Sequence, residues 1–373
     1  MRTLNSASPS NESASPQLSP NRALKRGASW LLLSSLVLSF GLACGGASSN
    51  TPAAASASSS GSKEPADDAP LTDPPDPPKA EGNPLVGLKM YVDPESLAQL
   101  RVNALKTTDQ GKAAIIEKIA KQPQALWLGE WNTNIFRTAQ YNVEKAKDQG
   151  AVPIFVAYNI PNRDCGQHSS GGTKTKDDYR RWIRKLAAGI GDGAAVVIME
   201  PDALPMIDKE NCLSQEQKEE RLFLLRDAVK VLRQNPKTIV YIDAGHPRWN
   251  PAEYMATQLK KAGIEFANGF SLNTSNYVGT EDNLEYGKKL SGLLGGVHFV
   301  IDTSRNGNGP PSDPNEWCNP PGRKIGKPPT LETGEPLADG FMWLKRPGES
   351  DGECHGGPRA GVFWDEKALE LAQ

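Results

Sequence analysis

The sequence predicts an α/β domain in which parallel strands, each followed by a helix, wind into a barrel. Three observations predict it. Runs such as Ala194–Met199 are apolar at every position, as strands covered on both faces are. Stretches of helical length with an apolar stripe alternate with those runs, which implies parallel strands joined by helical crossovers. Seven or eight such units fit into some 290 residues, and no Gly-x-Gly-x-x-Gly turn follows the first strand. An open, doubly wound sheet built around a dinucleotide therefore loses its reason, and a closed barrel suits the count better.

Taken in order, Leu88–Val92 reads as a strand and Pro94–Leu105 as a helix, then Ala125–Leu128 and Thr133–Gln149 repeat the pair. Val152–Tyr158 is an apolar run that breaks into Asn159-Ile160-Pro161-Asn162-Arg163-Asp164-Cys165, with a helix over Lys176–Ala188. Pro201 cannot continue a central strand, so the run from Ala194 stops there and Asp202 stands at its carboxyl end, before a helix over Ser214–Gln234. Thr238–Ile242 ends in Asp243-Ala244-Gly245-His246 and precedes a helix over Pro251–Ala262. Asp282–Leu294 is helical, and Gly296–Ile301 then ends in Asp302-Thr303-Ser304-Arg305-Asn306. Phe341–Leu344 leads to Lys345-Arg346-Pro347-Gly348-Glu349-Ser350-Asp351, and Asp365–Gln373 is the last helix.

Five of these runs thus end in an Asp-bearing segment. Loops favour Asn, Ser and Gly as readily as Asp, so five coincidences point instead to convergent carboxylates. The carboxyl edge of a parallel sheet is also where α/β proteins place their chemistry. Asp202, flanked by apolar chain, is placed for a raised pKa and general-acid work; the plainer reading is a helix N-cap. Asp243 and Asp302 read as structural or supporting residues.

The chain has 373 residues, a formal charge of −2 and 23% charged residues, which gives no pull toward nucleic acid or an anionic surface. Residues 1–43 read as a targeting segment. Arg22, Lys25 and Arg26 precede Trp30–Ala43, about fourteen residues, too short to cross a bilayer and suited to a signal core. Residues 44–81, rich in Ala and Ser and then in Pro and Asp, have no apolar face and read as a disordered tether. Residues 82–373 form one large domain. Gly41-Leu42-Ala43-Cys44-Gly45-Gly46 resembles a bacterial lipoprotein processing site, which implies lipidation at Cys44 and a cell-surface location. Ordinary secretory cleavage near Ala43 is the alternative. The remaining cysteines, Cys165, Cys212, Cys318 and Cys354, favour disulfides in an exported domain and allow three pairings. There is no Cys-x-x-Cys or His-Glu-x-x-His, so neither a metal nor another cofactor is implied.

Six motifs in order resemble those of glycoside hydrolase family 6. They are Asn159-Ile-Pro-Asn-Arg-Asp-Cys165, Ile198-Met-Glu-Pro-Asp202, Tyr241-Ile-Asp-Ala-Gly-His246, Asp302-Thr-Ser-Arg-Asn-Gly307, Glu316-Trp-Cys-Asn319 and Lys345-Arg-Pro-Gly-Glu-Ser-Asp-Gly352. The resemblance, over about residues 83–373, implies an inverting cellulase on a distorted, incomplete TIM-like parallel β/α barrel of about seven strands. It implies bridges Cys165–Cys212 and Cys318–Cys354. It puts the general acid on Asp202, the carboxylate controlling its protonation on Asp164, and the tyrosine beneath the distorted sugar on Tyr158. Ser170 matches the serine of a water relay, and Asp351 the carboxylate proposed as base. Trp249, Trp317, Lys345 and Glu349 match sugar-binding positions, as do His246 and Asn276. Trp127 matches an early tryptophan, but Leu128-Gly129-Glu130-Trp131 departs from the usual pattern after it, so Trp127 and Trp131 compete for that subsite.

The chemistry needs these residue types. Inverting hydrolysis uses one protonated carboxyl toward the leaving oxygen and an ionised group activating water on the opposite face, typically ~6.5–9.5 Å apart. A charged Asp164 close to Asp202 would keep the acid protonated. Trp faces suit the C–H surfaces of glucose, while Lys and Glu bond its hydroxyls. The plainer readings are core packing for Trp249, Trp317 and Tyr158, and a solvated ion pair for Lys345 and Glu349. The compact Asp302–Cys318 and Pro347–Cys354 segments resemble the open-cleft bacterial form. The expectation is a monomeric endo-β-1,4-glucanase acting on cellulose, cello-oligosaccharides or mixed-linkage glucan, with no nucleic-acid partner and membrane contact only through Cys44. An exo-acting cellobiohydrolase and a non-catalytic glucan-binding lipoprotein are the alternatives.

Overall fold

The computed structural model describes residues 63–166, 169–313 and 315–373. The targeting segment, Cys44 and the tether as far as residue 62 lie outside the described residues. Among the described residues seven strands form one sheet: β1 (Leu126–Leu128), β2 (Ile154–Ala157), β3 (Ala195–Met199), β4 (Thr238–Asp243), β5 (Gly269–Leu272), β6 (His298–Asp302) and β7 (Ala338–Met342). They stand side by side in chain order and every neighbouring pair is parallel. Alternate side chains explain why the runs are apolar throughout. Ile154, Val156, Val196, Ile198, Ile239 and Tyr241 fill the inside of the curled sheet, while Phe155, Val197, Met199, Val240 and Ile242 pack outward against helices. The edges β1 and β7 meet without a ladder among the described residues. Ala125 N–H bonds Trp343 O at 3.0 Å, and the Trp127 indole N–H bonds Leu344 O at 2.8 Å. The barrel is therefore incomplete.

The helices are α1 (Leu97–Leu105), α2 (Gln110–Ala120), α3 (Ile135–Asp148), α4 (Lys176–Ile190), α5 (Gln215–Leu232), α6 (Ala252–Ala262), α7 (Thr280–Leu293) and α8 (Asp365–Ala372). Ser96, Asp109, Asn134 and Thr175 accept a bond from the first turn of α1 to α4, and Ser214 with Gln217 closes a capping box on α5. A cap from Ser214 also removes the N-cap reading of Asp202.

Several expectations need correction. Leu88–Val92 is not a strand but a single bridge, Met90 to Val152: Leu88, Met90 and Val92 are only half-buried and Lys89 is exposed, so it lacks the two covered faces of the strands that follow. β5 and α2 were not expected. In β5 the apolar run is broken by Gly269, which lies so close to the next strand that a Cβ would sit 2.3 Å from His298 O. In α2 the Lys-rich face masks Ala113, Ile116, Ile119 and Ala120, which pack with α1, α8 and Trp343.

Residues 63–81, read as part of a disordered tether, instead run along α4 and α5. Arg180 pairs with Asp73 at 2.7 Å, Arg184 and Arg181 bond the carbonyls of Thr72 and Ala69 at 2.7 and 2.8 Å, and Gln234 bonds Pro75 O at 2.9 Å. Lys185 pairs with Asp67 and Lys230 with Asp76. Composition shows only that this stretch cannot bury a core. It does not reveal cations more than a hundred residues away on the outer face of two helices.

Candidate active site

The site grows from the carboxyl ends of the strands. After β3 the chain turns sharply, with Glu200 and Asp202 at φ 46° and 71°, a conformation ordinary residues hold only when their surroundings enforce it. Glu200 supplies that enforcement. Buried inward, it accepts N–H bonds from Asn159 and Ile160 at 2.9 and 3.1 Å and the Tyr179 hydroxyl at 2.8 Å, so it also anchors the segment after β2. Burial pushes its carboxyl up to about 7.

Asp202 is thereby delivered into a cleft. Its carboxylate accepts from the Tyr158 hydroxyl at 3.2 Å, and its N–H bonds Asp243 Oδ2 at 3.1 Å. Burial, then the neighbouring Asp243 and Asp164 carboxylates, push its pKa up to about 8. Asp243 is raised to about 6 by burial, held in check by bonds from Thr274 and from the Asp202 and Gly245 amides. Asp164 stands in the left-handed region, its Oδ2 accepting the Ser169 N–H at 2.8 Å. The Cys165–Cys212 bridge ties this segment to the one after Asp202. Tyr158 lies edge-on to Trp127, with ring centroids 5.0 Å apart.

Across the cleft Asp351 is locked in place. Arg305 grips both its oxygens at 2.9 and 2.8 Å, Lys345 lies 3.2 Å away, and the Tyr277 hydroxyl and Asn319 N–H add bonds of 3.1 and 3.0 Å. Burial works to raise its pKa, but Arg305 and Lys345 outweigh it and hold the carboxyl well below the usual range. Glu349 pairs with Arg346 at 2.9 Å. Trp317, next to the Cys318–Cys354 bridge, keeps 38% of its surface exposed. At the other end His246 packs 5.4 Å from Trp249 and accepts the Arg248 N–H on Nδ1, which leaves Nε2 to carry the proton. Burial and then Arg248 push its pKa down to about 4, so it is neutral at ordinary pH.

All the residues expected at the site line this one cleft of about 1220 Å³: Tyr158, Asp164, Ser170, Asp202 and Asp351, with Trp127, His246, Trp249, Asn276, Trp317, Lys345 and Glu349. Among the described residues no cluster of His, Cys, Asp or Glu could hold a metal ion.

A sequence model of the glycosyl hydrolases family 6 matches residues 85–373. The chain belongs to that family. It is 44% identical over 285 residues to Endoglucanase A of Cellulomonas fimi, covering 76% of this chain but 60% of that relative. With Endoglucanase 1 of Streptomyces halstedii it shares 44% over 290 residues, 75% of this chain and 87% of the relative. A solved endoglucanase Cel6 from Mycobacterium tuberculosis, in complex with methyl-cellobiosyl-4-deoxy-4-thio-β-D-cellobioside, superposes with a TM-score of 0.74 at 45% identity, over 78% of this chain and 98% of that one. The cellobiohydrolase Cel6A of Chaetomium thermophilum superposes with a TM-score of 0.68 at 26% identity, over 78% and 98%. Both bridges implied by the family resemblance are present.

Within this family 6 cleft, sequence reasoning passed over Arg305 and Tyr277, while Asp302 has the supporting place it was given. Arg305 is fully buried and orients Asp351; the signal was its place in the strand-end motif after Asp302. Tyr277, which bonds Asp351 from the loop after β5, carried no local signal. Asp302 accepts the amides of Ser275, Ser304, Leu344 and Lys345 at 2.8 to 3.3 Å, and so joins three loops as a supporting residue.

Proposed function

We propose that the chain is an endo-acting β-1,4-glucanase that cleaves with inversion at the anomeric carbon. The observation that carries this reading is Asp202: a carboxyl raised to about 8, bonded to Tyr158, at the centre of a cleft lined by Trp127, Trp131, Trp249 and Trp317. Protonated at neutral pH, it donates to the glycosidic oxygen as the C1–O bond breaks. A water on the opposite face forms the new C1–O bond. Its proton leaves through water held by Ser170 toward Asp164, one of the carboxylates whose charge raises the Asp202 pKa. Asp351 is so firmly paired with Arg305 and Lys345 that it is a feeble proton acceptor. Its part is to place negative charge beside the sugar and to fix Lys345. The tryptophans stack sugar rings, and neutral His246 with Asn276, Lys345 and Glu349 bonds hydroxyls. The 44% identity to bacterial endoglucanases, and the exposure of Trp131 and Trp317, favour an open cleft acting inside chains over an exo-acting one.

We place the protein outside the cytoplasm, lipidated at Cys44 and monomeric; the two disulfides support export. The test incubates the chain and its Asp202→Ala variant with carboxymethylcellulose and cellohexaose. The expected outcome is a viscosity drop well ahead of reducing-end release, α-anomeric first products by NMR, and about 10³-fold or greater loss in the variant. β-Anomeric products, or a folded wild type that binds cellohexaose without cutting it, would overturn the proposal.

A further inference from the structure

Arg163, which lines the cleft, is paired with Glu130, and the chemistry above uses neither. We propose that Glu130 is a positioning residue: by holding the Arg163 guanidinium it sets the Ser169–Gly171 segment, and with it Ser170 and Asp164 beside the acid. The inference rests on the roles proposed above for those two residues.

The geometry is that of a clamp. Arg163 Nη1 donates to Glu130 Oε2 at 2.6 Å and Nη2 to Oε1 at 2.9 Å, a two-point grip that fixes the guanidinium plane. Its other donors reach neutral carbonyls: Tyr158 at 2.7 Å, Ser169 at 2.8 Å and Ser170 at 3.3 Å. One cation therefore joins the loop after β1, the end of β2 and the segment that carries Ser170. Above it the guanidinium lies 4.5 Å from the Tyr158 ring centre. The fit is close enough to dictate a residue. A Cβ on Gly171 would stand 2.3 Å from Glu130 Oε1 and 2.6 Å from Arg163 Nη2. Arg163 is almost wholly buried, whereas the Glu130 side chain keeps 42% of its surface exposed. Removing Glu130 leaves the buried Arg163 without its counter-charge, which costs stability, so the Glu130→Gln variant, which keeps an oxygen for Arg163, separates positioning from loss of fold.

The test measures amide exchange over residues 169–173 and steady-state cleavage of cellohexaose by the full chain and its Glu130→Ala, Glu130→Gln and Gly171→Ala variants. For Glu130→Ala we expect exchange there to rise about tenfold while strand protection is unchanged. We also expect kcat to fall about tenfold with KM within about twofold. Glu130→Gln keeps an oxygen for one Arg163 N–H and should fall between; Gly171→Ala should move in the same direction as Glu130→Ala. Unchanged exchange in Glu130→Ala would overturn the proposal. So would a higher KM with kcat intact, which would make Glu130 a sugar contact. A wild type that does not cleave cellohexaose would fail the proposed activity, while the exchange measurement would still decide whether Glu130 holds the segment.

Discussion

Asp202 is asked to do two things that folding opposes: to sit among other carboxylates and to keep a proton at neutral pH. Its folded pKa, about 8, lies above the ordinary value of 3.8. The folded state therefore holds a proton that the unfolded chain releases above pH 4. The stability from that proton is full below about pH 4 and is lost as pH rises toward 8. Catalysis has the same sign, since a general acid must be protonated, and kcat is expected to fall as pH rises through about 8. Asp202→Asn removes the titration and leaves a neutral group. We expect the variant to be inactive yet more stable by about 1–2 kcal/mol at pH 8, roughly 2–6 °C in Tm, with the gain vanishing near pH 4. The gain stays small because the carboxyl faces cleft water. Thermal melts of both proteins from pH 4 to 9 check it; a gain that grew toward low pH would reverse the assigned direction.

The strands whose side chains are apolar on both faces, β2, β3, β4 and β6, were legible because burial on two sides leaves no other pattern. β5 was not, because Gly269 and Ser271 answer to neighbours in space: a close-packed strand and the carboxylate of Asp243. The site divides the same way. Asp202 and Asp164 follow strand ends and could be found locally. Glu130 and Arg163 are 33 residues apart, and Tyr277 meets Asp351 across 74, so no local pattern announces either pair. At this scale the bridges matter most where they join such partners. Cys318–Cys354 closes a loop of 36 residues and stands beside the paired bonds of Asn319 and Asp351, at 3.0 and 2.8 Å. Replacing both cysteines by serine is expected to lower stability by about 2–4 kcal/mol. It should also cost about tenfold in kcat/KM, because Trp317 and Asp351 lose their common anchor. Melting and cellohexaose kinetics test this; loss of stability with kinetics unchanged would show that the hydrogen bonds alone hold the pair.

At the scale of the whole molecule, the segment 63–81 decides where the domain hands over to the chain before it. Its contacts are ionic or to carbonyls, with Asp67, Asp73 and Asp76 largely exposed and Pro77 buried. Exposed ion pairs contribute about 0.2–1 kcal/mol each and weaken as the Debye length shrinks from about 10 Å at 0.1 M salt to about 3 Å at 1 M. A strap held this way, rather than by apolar burial, should come off without disturbing the barrel. We expect amide exchange over residues 67–79 to rise several-fold between 0.05 and 1 M NaCl, with α4, α5 and the strands unchanged and cellohexaose cleavage unaffected. Replacing the exposed Asp67, Asp73 and Asp76 of the segment by lysine should release it at low salt as well. Salt-independent protection would mean that the buried proline, not the charges, holds the strap. Loss of activity on release would tie this outer face to the cleft, a coupling for which α4 offers a route, since Tyr179 on it bonds the Glu200 that aims Asp202.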